Sequence, residues 1–124
     1  MSFINAPLRE MLRDMQPVLH PEPYSITVQA SSVAGAFATV AEPEGLTVIA
    51  LLALIPCDIA WARISLALHS DLSAVGLTAA IARALADEGI SANVVAGFYH
   101  DHVFVPWETR REAIAALQTL SSEA

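Results

Sequence analysis

The sequence predicts an α+β protein with an antiparallel sheet and helices on one face, and three observations carry that expectation. Residues 61–69 alternate as a strand buried mainly on one side, with Ile64, Leu66 and Leu68 on one face and Arg63, Ser65 and Ala67 on the other. A helical stripe of Leu77, Ile81, Ala84 and Leu85 follows and stops at Gly89, a well-placed glycine just past a helix end. A hairpin over 92–105 and a final helix over 108–120 complete the order strand, helix, strand, strand, helix. That is a ferredoxin-like βαββαβ unit short of its last strand. An open edge inside a core would leave backbone groups unpaired, so the missing strand is expected from the N-terminal half.

From the N-terminus, Leu8, Met11, Leu12 and Met15 fall at i, i+3, i+4 and i+7, the stripe of a short amphipathic helix. Pro7 suits its first turn, Pro17 ends it, and two prolines stiffen the segment from His20 to Pro23. Residues 24–29 alternate as a half-buried strand; 31–35 read as a turn, 36–40 as a strand, 42–45 as a turn and 46–51 as a third strand. Residues 50–55 are ambiguous between strand and helix until Pro56 to Asp58 break them. After the 61–69 strand, Ser70 to Ser73 offer N-cap candidates for a helix running to about Glu88. In the hairpin, Tyr99 to Asp101 form the turn and His102 to Val105 return; Pro106 and Trp107 end it. The last helix buries Ile114, Leu117 and Leu120 and places Glu108 at its positive end. The expected division is an N-terminal half, 1–58, and a C-terminal module, 59–124.

Composition narrows the function. With 124 residues, 55% hydrophobic and 15% charged, the chain can build a core, and its low charged fraction points to a covered surface and a homo-oligomer. The net charge of -7 and six scattered arginines would repel a polyanion, which argues against nucleic acid. The chain has no lysine, which excludes Schiff-base catalysis and a phosphate-loop lysine. One cysteine, Cys57, allows no internal disulfide and fits a reducing compartment. Residues 1–10 lack the pattern of a signal peptide. The apolar run from Leu46 to Leu68 is interrupted by Pro56, Asp58 and Arg63, so no membrane span is expected there, and a cytoplasmic location is.

Residues 64–117 resemble the ACT-domain family, regulatory modules found on enzymes of amino-acid metabolism. The strand and its exit, Ile64 to Leu72, carry the first part of the resemblance. Val75-Gly76-Leu77-Thr78-Ala79-Ala80-Ile81, leading to Leu85-Ala86-Asp87-Glu88-Gly89-Ile90-Ser91, carries the second. Asn93 to Pro106 carries the third. The chain looks most like small stand-alone bacterial ACT-like proteins whose divergent N-terminal half precedes a clearer C-terminal module. The resemblance implies a related fold in residues 1–58.

The loop from Ser70 to Leu77 is the leading candidate for a ligand site. N–H groups at a helix N-terminus bind a carboxylate, Gly76 permits close approach to the backbone, and Asp71 could hold an amino group. The competing reading is an ordinary cap, with Gly76 required for packing. The resemblance implies that backbone groups of Asn93, Val94 and Val95 also meet a ligand; otherwise they form a core strand. The expected ligand-binding set is therefore Ser70, Asp71, Leu72, Val75, Gly76, Leu77, Asn93, Val94 and Val95. His100 and His102 would share a face of an extended chain as metal ligands do, yet Asp101 between them equally suits a polar hairpin tip. Cys57 has no partner suggesting a nucleophile, and Asp87 and Glu88 read as a solvated face. Trp61 and Trp107 suit either an interface or the core. The functional expectation is a small-molecule-binding regulatory protein for an amino acid or related metabolite, with no catalytic residue, metal or cofactor. The alternative is an oligomerisation or partner-binding module without a ligand.

Overall fold

The computed structural model describes residues 3–124. In chain order these form α1 (Ala6–Arg13), β1 (Pro17–Leu19), β2 (Tyr24–Gln29), β3 (Ala38–Glu42), β4 (Gly45–Leu51), β5 (Trp61–Leu66), α2 (Leu77–Asp87), β6 (Asn93–Ala96), β7 (Asp101–Pro106), a 3-10 turn (Trp107–Thr109) and α3 (Arg110–Ser122). All strand pairs are antiparallel, in the order β3-β4-β2-β5-β7-β6, with β1 also on β5.

β5 is the axis of this sheet. One edge pairs with β7 from Trp61↔Pro106 to Ser65↔His102. Its other edge is shared: β1 takes the far end through Pro17↔Leu66 and Leu19↔Ile64, and β2 takes the near end at Tyr24↔Trp61. The segment from Met15 to Tyr24 thus runs along the whole of β5, bent at the prolines near its middle. β1 supplies the strand that the C-terminal module lacks, so the expected donor is the N-terminal half. The sequence did not reveal β1 itself, because three residues beginning with a proline show no alternation. Proline suits the first position of such a strand, where its missing N–H is not called on.

Alternation in β5 decides the two faces. Ala62, Ile64 and Leu66 join Val103 and Val105 beneath the three helices, together with Leu8, Leu12, Met15, Leu77, Ile81, Leu85 and Leu117. α1 enters this core because Asn5 caps it, its Oδ1 accepting from Leu8 N–H at 3.0 Å, and because Leu8 and Leu12 fall on one side. The opposite face carries Trp61, Arg63, Ser65, His102 and Phe104. Part of it is covered by the N-terminal half of the chain. β2 and β4 pair from Tyr24↔Leu51 to Gln29↔Leu46, and the connection before β3 brings Phe37 over His102 and Phe104, with ring centroids 4.9 and 5.6 Å apart.

α2 also starts later than its polar flank suggested. Its N-cap is Gly76, in the left-handed conformation at φ 98, and no side chain caps it. Ser70 to Ser73 belong to a separate turn. Among the described residues no helix is long and apolar enough to cross a membrane.

Candidate functional site

The loop between β5 and α2 crosses the end of the sheet at which β6 stops and β7 starts. Its shape comes from Asp71. One carboxylate oxygen accepts from the Ser73 backbone N–H and from the Ser73 hydroxyl, both at 2.8 Å, closing a turn typical of aspartate. These bonds, the backbone one first, hold the Asp71 carboxyl below the usual carboxylate range, so it is an exposed, firmly ionised group. The Ser70 hydroxyl donates to Asp101 Oδ2 at 3.3 Å and ties the loop to the first residue of β7. His100 Nδ1 lies 3.2 Å from the carbonyl of Leu68, which can only accept, so that nitrogen carries the proton.

Two adjoining hollows result. A cleft of about 390 Å³ is lined by His69, Asp71, Leu72 and Phe98. A recess of about 70 Å³ lies deeper, between Ser70, Asp71, Leu72 and Ala74 of the loop, Leu77 and Thr78 of α2, and Ala96 and Asp101 of the hairpin. Two carboxylates and the uncapped start of α2 therefore border one small volume, an arrangement able to hold an ammonium and a carboxylate group side by side. Around it the surface is apolar: Leu72, Val75, Phe98 and Tyr99 are 63%, 83%, 68% and 61% exposed.

The expected site residues divide into three places. Ser70, Asp71, Leu72 and Leu77 line the hollows. Val75 and Gly76 do not; Val75 points to solvent, and a Cβ on Gly76 would stand 2.7 Å from Leu8 Cδ2 and 3.5 Å from Phe3 Cδ2. The open side of that glycine is filled by the chain's own α1. Asn93, Val94 and Val95 lie elsewhere again. Asn93 opposes Phe104 while Ala96 opposes Asp101, so Ala96, at the other end of β6, is the strand residue that meets the loop. Val94 packs under the helices and Val95 with the opposite-face aromatics. Sequence reasoning missed His69, Ala74, Thr78, Ala96, Phe98 and Asp101. The hairpin register alone would have indicated Ala96 and Asp101.

His100 and His102 diverge. His102 Nδ1 is 2.7 Å from Ser65 Oγ under Phe37, on the sheet face. Burial, then the charges of Arg63 and His100, hold its imidazole below the ordinary histidine value. Arg63 lies between Tyr24 and Phe37, donating to the Tyr24 hydroxyl at 2.6 Å with its guanidinium 4.7 Å from the Phe37 ring centroid. Among the described residues no group of three or more His, Cys, Asp or Glu is placed to hold a metal ion. The Cys57 thiol donates to the Ile59 carbonyl at 3.0 Å.

An ACT domain family model matches residues 57–119, and a second ACT domain model matches residues 6–53. No curated protein gives a significant match. Among solved structures, a Vibrio cholerae protein of unknown function, described as a possible transport protein, is 37% identical with a TM-score of 0.82 over 93% of this chain and 96% of its own. An Agrobacterium tumefaciens protein is 18% identical with a TM-score of 0.74, over 86% of this chain and 89% of that one. Aspartate kinase from Clostridium acetobutylicum, described as an allosteric enzyme, is 10% identical with a TM-score of 0.67; 87% of this chain matches 34% of the kinase. The last two likenesses are likenesses of fold.

Proposed function

The chain belongs to the ACT-domain family, and from that premise we propose that it is a regulatory protein whose β5–α2 loop binds a small metabolite, an amino acid in the first instance. ACT domains are typically regulatory, ligand-binding modules rather than catalysts. The observation that carries the reading is the pair of hollows at the loop, where ionised Asp71, Asp101 and the uncapped start of α2 converge inside an exposed apolar rim. The ammonium group would face the carboxylates, the carboxylate the N–H groups of α2, and the side chain the rim of Leu72 and Phe98. The backbone groups of Asn93, Val94 and Val95, not their side chains, would act from a neighbouring copy, since β6 is the last strand in the sheet order and its outer backbone edge is open. In this reading residues 1–58 and 59–124 are the two related halves, and the protein works as a cytoplasmic homo-oligomer. A ligand shared between copies favours the assembly that closes on it.

A thermal-shift screen of the amino acids, with calorimetry on each hit, tests this. A ligand at 100 times its Kd adds about 2.7 kcal/mol and raises the melting temperature by several degrees. Asp71→Asn, whose amide oxygen can still accept from Ser73, should abolish that rise while the unliganded protein keeps a cooperative transition at a somewhat lower temperature. Failure of every amino acid to shift the transition would remove the proposal. The exposed rim favours one alternative, an assembly module that uses Leu72, Val75, Phe98 and Tyr99 without a ligand. That alternative predicts self-association that no metabolite alters.

A further inference from the structure

A second cleft, of about 470 Å³, opens on the sheet face away from the helices, at the end of β5 opposite the loop. Ile26 and Thr27 of β2, Cys57, Asp58 and Ile59 of the preceding connection, Trp61 of β5 and Asn93 of β6 line it. Its walls are two isoleucines and an indole, and Ile59 stays 63% exposed. A ligand pocket commonly has this make-up: an apolar body with a few converging polar groups. Among the described residues that line it, Asp58 is the one carboxylate and there is no arginine, while the Cys57 thiol donates to the Ile59 carbonyl at 3.0 Å. The nearest cation along β5, Arg63, does not line the cleft: it donates through Nη1 to the Tyr24 hydroxyl at 2.6 Å, stacks on Phe37, and has its Nε buried without a partner. A carboxylate entering the cleft would meet Asp58 and no compensating cation. An amine would meet the Asp58 carboxylate beside the Trp61 indole and the Asn93 amide, groups able to attract a positive nitrogen.

We propose that this cleft is a second binding site, distinct from the β5–α2 loop, for a monoamine with an aromatic or aliphatic body and no carboxylate. The body packs on Trp61, Ile26 and Ile59, and the ammonium group lies between Asp58 and Asn93. The site would let one protein respond to two chemically different metabolites, because an amino acid is repelled here by the same charge that attracts its decarboxylated counterpart.

The indole provides the readout. Trp107→Phe leaves Trp61 as the sole tryptophan, and 2-phenylethylammonium does not absorb where tryptophan is excited. Titration over about 0.1–10 mM should change Trp61 emission saturably. Phenylacetate, the same body with opposite charge, should give no saturable change. Asp58→Asn should weaken the amine about fivefold, the most that an exposed ion pair supplies, whereas Glu88→Gln, the same change of net charge on a distant exposed residue, should not. No saturable response to the amine, an equal response to phenylacetate, or unaltered binding in Asp58→Asn would each overturn the proposal. So would an apparent Kd for the amine that rises with protein concentration, because a second copy would then compete for the cleft. None of these readouts involves the loop, so amino-acid binding there stands or falls separately.

Discussion

Gly76 shows how one residue can be legible in position and illegible in purpose. Its place before an apolar helix and after a polar loop was plain, but the same glycine serves ligand approach or packing. Only the third dimension shows that Leu8, 68 positions earlier, fills the space where its side chain would be. Gly76→Ala should therefore destabilise by about 1–3 kcal/mol, chiefly through a left-handed backbone that alanine resists. The flexible end of Leu8 can yield, so the backbone term remains even if packing relaxes. Urea denaturation measures the loss, and an unchanged midpoint would show that φ 98 is not required at this position. His102 was equally ambiguous beside His100, and the structure gives it a separate role under Phe37. Its folded pKa is depressed below the ordinary 6.5, first by burial and then by Arg63 and His100. The unfolded chain therefore binds this proton more tightly. The contribution of His102 to stability is complete above that ordinary value and is lost as pH falls through it toward the lower folded value. Between about pH 7.5 and 5.5 the urea midpoint should fall less in His102→Gln than in the unaltered protein. Equal falls would transfer the acid sensitivity to other groups.

At the scale of elements, strong periodicity was read correctly and short or shared structure was not. β5, α2 and α3 announce themselves because their burial alternates or recurs over enough residues. β1 is invisible because its three residues make sense only against β5, and the loop before α2 misled because Asp71 and Ser73 bond each other rather than the helix. α1 lies between these cases: its stripe was clear, its destination was not. Leu12 is 1% exposed in the core shared with α2, α3 and β5. Leu12→Ala should cost about 2–5 kcal/mol, as deletions from a filled core do. Val40 on β3 is 52% exposed, and Val40→Ser should change stability by no more than about 0.5 kcal/mol. Chemical denaturation of the two variants decides whether the N-terminal helix is integral to the fold. A Leu12→Ala variant as stable as Val40→Ser would make α1 a dispensable attachment.

For the whole molecule, charge and apolar surface act against each other. The net charge of -7 opposes any meeting of two copies, whereas the rim of Leu72, Val75, Phe98 and Tyr99 favours it. The low charged fraction hinted at a covered surface, but composition could not locate it, because Leu72 and Val75 lie on the loop before α2 whereas Phe98 and Tyr99 lie on the β6–β7 hairpin. The balance gives a salt dependence with a definite sign. The Debye length shortens from about 30 Å at 0.01 M salt to about 10 Å at 0.1 M, which removes repulsion between copies and leaves apolar contact intact. Self-association measured by light scattering should therefore strengthen as salt rises. It should weaken at every salt concentration when Leu72 and Val75 are both changed to serine. Association that instead falls with salt would mean that paired charges hold the copies together, and the apolar rim would then be left for the ligand alone.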